Sequence, residues 1–259
     1  MKFVAVLLLL GFASIFSNAQ QSKNQEVTSR SPVLVELYTA EGCPNCPRAE
    51  KLLTELKSEQ PVKSATIVPL VLHVDYWDKY GLVDIFASPL YTRRQMIYEK
   101  LFKYGQVYTP QMIVDGKYAF IGSRKAEALD AINRAAKVNK PRLSISADEK
   151  MLVAYFSGLP KHEEATLYLA ITQDAIPSRV NSGQGTYLQT AVTRSLNAIS
   201  RVSEESVSGE YQFSVDIEKK WILENLNLVV FIQENTSRKI LAVESVQATS
   251  VFDPKIKGE

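Results

Sequence analysis

Cysteine and histidine are scarce in this chain, with two of each among 259 residues. A densely bridged secreted scaffold is thereby excluded, and a closed zinc site would consume the whole supply of both. A surplus of one charge is also missing. Thirty Lys and Arg stand against 28 Asp and Glu, a net +2 without a dense basic block, so neither nucleic acid nor an anionic membrane surface is expected as a partner. No Gly-x-Ser-x-Gly and no His-Glu-x-x-His occurs, which leaves hydrolase and metalloprotease readings without support. Ser182-Gly183-Gln184-Gly185 reads as a loop, not a phosphate cradle, because strand character follows where a helix would be required.

What is present is a globular composition, 46% hydrophobic, with a distinctive start. Residues 1–19 combine Lys2, an apolar run from Phe3 to Ile15 and the small-residue pattern Ser17-Asn18-Ala19, which reads as a signal peptide cut before Gln20. The run is short of the ~18–20 apolar residues needed to span a bilayer, so no membrane span is expected after cleavage. Residues 20–31 form a polar, flexible leader. The exported chain then carries only Cys43 and Cys46, two residues apart. A bridge closing so small a loop removes little unfolded-state entropy and is a poor staple.

The pair lies between an apolar strand, residues 33–38, and a helix that places Leu52, Leu53 and Leu56 at helical spacing. Backbone N–H groups and the helix dipole stabilise a thiolate there, lowering a cysteine pKa from about 8.5 into a range of roughly 3.5 to 7.5. A second buried strand, residues 65–74, completes a right-handed βαβ unit. Pro89 opens a helix to about Lys103, with Leu90, Arg93, Arg94, Ile97 and Leu101 marking its faces. Asp115-Gly116 between two apolar runs signals a hairpin, and Ser123 caps a helix through Lys137. The expected order is β, α, β, α, β, β, α. From Pro141 many short strands follow (143–147, 151–156, 166–172, 186–194, 211–217, 226–233, 241–246), the texture of an antiparallel sandwich. A boundary is therefore placed near Lys140, giving domains 32–140 and 141–259.

Cys43-Pro44-Asn45-Cys46 and the order of elements resemble the thioredoxin fold. The approach Tyr38-Thr39 to Cys46, and Thr109-Pro110-Gln111 followed by Asp115-Gly116 and Ile121-Gly122-Ser123, resemble glutaredoxin. His73-Val74-Asp75-Tyr76-Trp77-Asp78, Phe86-Ala87-Ser88-Pro89, Arg94-Gln95 and Tyr108-Thr109-Pro110-Gln111 are similar to the DUF1223 family of bacterial secreted thioredoxin-like proteins. The implied fold is an α/β thioredoxin-like N-terminal domain with an appended all-β, antiparallel sandwich-like domain.

The resemblance implies that Cys43 is an exposed nucleophile and Cys46 a shielded resolving thiol. It implies that Pro110 is a cis-proline beside the dithiol, with Thr109 offering its backbone to an extended partner. Glu36 matches loosely a buried acid that shuttles protons, against the plainer reading of a solvated or paired carboxylate. Tyr76, Trp77 and Tyr80 form either a rim over the dithiol or ordinary core. His73, Asp75 and Asp78 have ligand chemistry but not the spacing of a closed site, so no metal or cofactor is expected. Arg93 and Arg94 read as a solvated helix face, and His162 as a turn residue. Three readings of the cysteines stay open: redox-active pair, structural disulfide and metal-binding pair. The first makes the chain an exported oxidoreductase acting on protein or low-molecular-weight thiols; the alternative is an envelope or secreted binding module with a closed disulfide.

Overall fold

The computed structural model describes residues 30–148, 151–179 and 186–252; the expected signal segment and the loop at Ser182 lie outside them. The first half follows the expected order: β1 (Ser31–Thr39), α1 (Cys46–Glu59), β2 (Ala65–His73), a short helical turn Asp75–Tyr80, α2 (Pro89–Phe102), β3 (Gln111–Val114), β4 (Tyr118–Ile121) and α3 (Lys125–Ala135). The second half contributes β5 (Arg142–Asp148), β6 (Met151–Ser157), β7 (Ala165–Gln173), β8 (Ile176–Pro177), β9 (Leu188–Gln189), β10 (Val192–Val202), β11 (Ser208–Phe213), β12 (Leu226–Glu234), β13 (Ile240–Gln247) and α4 (Ala248–Phe252).

β1 and β2 run parallel, with Ser31 opposite Ala65 and Thr39 opposite His73, and β3 pairs antiparallel to β1 with Tyr38 opposite Gln111. Both central strands are almost continuously apolar because both faces are covered. On one face α1 and α3 pack Leu52, Leu53, Leu56 and Ile132 against Val33, Val35 and Leu37. The β3–β4 turn needs positive φ at two positions, supplied by Asp115 at 50° and Gly116 at 68°. A side chain at Gly116 would also collide with the backbone of Arg238, at 1.9 Å from its carbonyl oxygen.

The strands expected after Pro141 as a separate sandwich share a sheet with the first half. β2 has a second edge, and β10 fills it: Val192 pairs with Val71 in parallel, and Val71 N–H donates to Ala191 O at 2.9 Å. One eight-stranded sheet results, ordered β13-β12-β7-β10-β2-β1-β3-β4, so it runs across the boundary expected near Lys140. An apolar strand with an open edge exposes unpaired N–H and C=O groups, and pairing removes that liability. A three-stranded sheet, β11-β6-β5, covers one face of the extension over a core of Leu152, Phe156, Leu167, Leu169, Leu228 and Val230. The side chain of Lys140 is not in a linker; it is buried, its ammonium 2.5 Å from Asp115.

α2 also departs from the expected pattern. Its buried positions are Tyr91, Thr92, Arg94, Gln95 and Tyr98, while Leu90, Ile97 and Leu101 are exposed. Arg94 therefore does not lie on a solvated face. The reason is Glu36 on β1, whose carboxylate is buried beneath it and needs a cation. Late strands also shift: residues 188–202 break at Ala191, where φ is 52°, and β11 ends at Phe213.

Candidate functional site

Cys46 is the first residue of α1 and Cys43 sits in the turn before it; the two are joined as a disulfide, with Cα atoms 5.4 Å apart. The local sequence enforces this. Cys43 N–H donates to Ala40 O at 3.1 Å and Cys46 N–H to Cys43 O at 3.2 Å, a tight double turn leading into the helix. Pro47 occupies the first helical turn, where a missing N–H costs nothing, and Pro44 lies exposed in the turn between the thiols. The exposed nucleophile expected at Cys43 is not found in the folded state: Cys43 is 2% exposed and Cys46 0%.

Tyr76 and Trp77, from the turn at Asp75–Tyr80, pack against the apolar cluster that holds both cysteines. Trp77 lies against Gly42, where an added Cβ would be 3.7 Å from the Trp77 Cβ, and its indole N–H donates to Thr109 Oγ1 at 2.7 Å. One side chain thus touches the cysteine turn and the residue before Pro110. The Thr109–Pro110 peptide bond is cis. Gly122 provides the close approach behind it: its N–H donates to Pro110 O at 2.9 Å, and a Cβ there would be 3.2 Å from Ala49 of α1 and 3.3 Å from Pro110. Tyr76 extends the same clasp, donating to Gln95 Oε1 at 3.2 Å, while Gln95 Nε2 donates to Tyr108 O at 2.8 Å. Burial pushes the Tyr76 phenol up to about 12, with hydrogen bonds to Thr109 and Gln95 opposing. Asp75 is used structurally: its Oδ1 accepts from Thr92 Oγ1 at 2.5 Å and its N–H donates back at 3.2 Å.

His73 ends β2 beside Thr39 and is fully buried. Its Nδ1 lies 2.7 Å from Asp84 Oδ2, and the same oxygen accepts the backbone N–H of Glu41 at 2.8 Å. The pair is thereby tied to the residue two before Cys43. Burial disfavours the imidazolium, but the Asp84 hydrogen bond and charge, joined by Glu50 and Glu41, outweigh it and raise the His73 pKa. Burial likewise opposes the Asp84 anion, and His73 together with the Glu41 and Phe86 N–H groups brings its pKa below the usual value. Glu41 is raised, by burial first and then by the Asp84 charge, against Arg179. Among the described residues His73 Nε2 and Glu41 Oε2 are buried without a hydrogen-bond partner, although Arg179 lies 3.5 Å from the latter.

Glu36 belongs to a different cluster. It accepts from Arg94 Nε at 2.6 Å, Tyr98 Oη at 2.7 Å and Tyr38 Oη at 3.2 Å. The carboxylate is paired, which fits the plainer of the two readings of this residue. A buried acid on the helix of the cysteines itself is Glu50, absent from the sequence reading. It accepts hydrogen bonds from Thr39, Tyr187 and, at 3.1 Å, Gln189. Asp84 was missed too. Each carried a signal, a carboxylate amid apolar neighbours: Glu50 between Ala49 and Leu53 on the apolar face of α1, Asp84 between Val83 and Ile85. Among the described residues no group of three or more His, Cys, Asp and Glu side chains is placed to hold a metal, and no helix is long and apolar enough to cross a membrane.

Comparison with known proteins places this geometry. A thioredoxin from Methanocaldococcus jannaschii is 27% identical over 99 residues, 38% of this chain and 89% of the relative. A structural-genomics protein from Agrobacterium tumefaciens superposes with a TM-score of 0.68 at 21% identity, covering 85% of this chain and 95% of that one. HBP35 of Porphyromonas gingivalis gives 0.60 at 13% identity, over 86% and 76% of the two chains. These likenesses extend the shared architecture into the second half. The family model for DUF1223, a protein family of unknown function, matches residues 34–233, and with the thioredoxin-like pair at its centre this chain belongs to the DUF1223 family.

Proposed function

We propose that the protein is an exported thiol–disulfide oxidoreductase working through Cys43 and Cys46. The observation that carries this reading is the disulfide at the start of α1 with the cis Thr109–Pro110 bond held beside it through Trp77, in a chain with a thioredoxin relative. A partner thiolate attacks the Cys43 sulfur, the Cys43–Cys46 bond breaks, and Cys46 leaves as a thiolate. A second partner thiol then attacks the partner sulfur of the mixed disulfide and releases Cys43. Two thiols lose two electrons and two protons, and the cysteine pair gains them; a partner disulfide runs the same steps in reverse. Cys43 is the sulfur that meets the partner in both directions, since it lies ahead of the helix that Cys46 begins. Thr109 and Pro110 present the edge for an extended partner, and the aromatic turn with Trp77 gates it. Export rests on the sequence of residues 1–19.

A second reading, a binding module whose disulfide stays closed, is favoured by the burial of both sulfurs. Replacement of Cys46 by Ser in the native host separates the two. Oxidoreductase chemistry predicts mixed disulfides trapped through Cys43, resolved on a non-reducing gel and lost in the Cys43→Ser, Cys46→Ser double variant. An empty gel, together with no turnover of a protein or low-molecular-weight disulfide by the purified protein and a reduced Cys43 pKa near about 8.5, would leave the binding module standing.

A further inference from the structure

A cleft of about 370 Å³ opens between residues 85–91, β10 and the 218–221 segment; of its lining, Phe86 also touches the His73–Asp84 pair described above. Its floor is made by an irregularity in β10. Opposite β7 the register moves from Thr193–Thr172 directly to Ser195–Ile171, so Arg194 is an extra, unpaired residue of a bulge, the kind of device that re-aims one side chain. The guanidinium is directed between two rings, 5.0 Å from Phe86 and 5.0 Å from Trp221. Among the described residues it makes no hydrogen bond or close ion pair, although burial strips part of its hydration and lowers its pKa, against the charges of Glu218 and Tyr91.

The neighbours of Arg194 are left short in the same way. Thr193 Oγ1, Ser195 Oγ and Trp221 Nε1 are buried without partners, three of the eight such side-chain atoms among the described residues, and all three residues line this cleft. An indole N–H can only donate, a guanidinium can only donate, and the two hydroxyls are free to donate. What is missing is therefore an acceptor. Buried polar groups are ordinarily paired, so this concentration points to a ligand. Glu218 also lines the cleft, its carboxylate 2.8 Å from Lys220, and with that pair neutralised one positive charge remains. That charge suits a monoanion better than a polyphosphate. The mouth is apolar, with Ile85 66% and Leu90 56% exposed.

We propose that this cleft binds a small monocarboxylate with an apolar body, its carboxylate gripped by Arg194, with the Thr193 and Ser195 hydroxyls and the Trp221 N–H, covered as the cleft stands, brought into reach as the side chains around them give way. An arginine fork matches a carboxylate bidentately, and the volume lies in the lower range of small-ligand sites, roughly 300–1,000 Å³. The site stands independently of the redox reading.

The chain contains two tryptophans, so a ¹⁵N-labelled sample of the full protein has two indole N–H resonances, assigned with a Trp77→Phe variant. Titration with hexanoate or benzoate should shift the Trp221 resonance saturably and leave that of Trp77, already bound to Thr109, in place. Arg194→Ala should weaken binding at least tenfold, and Arg194→Lys, which keeps the charge but loses the fork, should weaken it several-fold. Circular dichroism checks that each variant is folded; if the alanine variant is not, the lysine variant carries the comparison. Inorganic phosphate should bind more weakly than either carboxylate. No saturable shift at Trp221, unchanged affinity in the folded Arg194 variants, or tighter binding of phosphate would each overturn the proposal.

Discussion

Glu36 and Glu50 are both buried, one on the strand entering the cysteine turn and one on the helix leaving it, yet their surroundings are opposite in kind. Glu36 is met by a cation. Arg94 reaches it at 2.6 Å while lying 5.5 Å from the rings of Tyr168 and Phe231 in the second half of the chain, and Tyr98, a second of its three donors, accepts from Gln233 Nε2 of β12 at 2.8 Å. Glu50 is met by neutral donors, Thr39, Tyr187 and Gln189, and shares its field with His73. The first arrangement is closed and ties β1, α2 and β12 together. The second is less closed: His73, whose charge it feels, keeps Nε2 without a hydrogen-bond partner among the described residues. A buried acid near a dithiol is thus not by itself a proton carrier; its partners decide whether it holds the fold or stays available to chemistry.

Substitutions at the two acids should separate them most clearly. Glu36→Gln leaves the Arg94 guanidinium buried without its anion, and removing one partner of such a pair costs roughly 3–5 kcal/mol; urea unfolding should show a loss of that size, and a loss below about 1 kcal/mol would mean the pair is not what closes this cluster. His73→Gln should cost less, roughly 1.5–3 kcal/mol for a hydrogen bond to a charged group, and should depend on pH. The folded pKa of His73 is raised, so its contribution is complete below the unfolded value of about 6.5 and fades as pH rises through the folded one. The folded pKa of Asp84 is lowered, so its contribution is complete above the unfolded value of about 3.9 and fades as pH falls through the folded one. Wild type and variant should therefore differ most between those limits, measured as unfolding midpoints across the pH range. Equal differences at pH 5 and at pH 9 would contradict a charged pair. Glu50→Gln should be mildest, about 1–2 kcal/mol for donors left partly unmatched, with the oxidised and reduced proteins affected unequally if Glu50 senses the dithiol. An effect as large as that of Glu36→Gln would erase the contrast.

The two clusters also mark where reading the chain succeeds and where it stops. Cys43-Pro44-Asn45-Cys46 before an amphipathic helix, and Thr109-Pro110 before an Asp-Gly hairpin, are local patterns, and the folded chain contains the disulfide, the cis bond and the turn. Arg94 resisted the same treatment because helical periodicity points Leu90, Ile97 and Leu101 inward. The face that packs is instead chosen by Glu36, 58 residues earlier. The packing around the cysteines was equally hidden, since it depends on Trp77 meeting Gly42 and Thr109 at once.

By itself the sequence determined the β-α-β-α-β-β-α order, the place of the cysteine pair at a helix start and the glycine at the hairpin, because these follow from periodicity, proline and glycine geometry over a few residues. Only the tertiary structure decided that β10 would join the edge of β2 and carry the sheet past Lys140, that both sulfurs would be covered, and that a bulge would aim Arg194 into a cleft between Phe86 and Trp221. Strand edges, buried charges and unpaired donors are satisfied by residues far away in the chain, and it is packing that selects them.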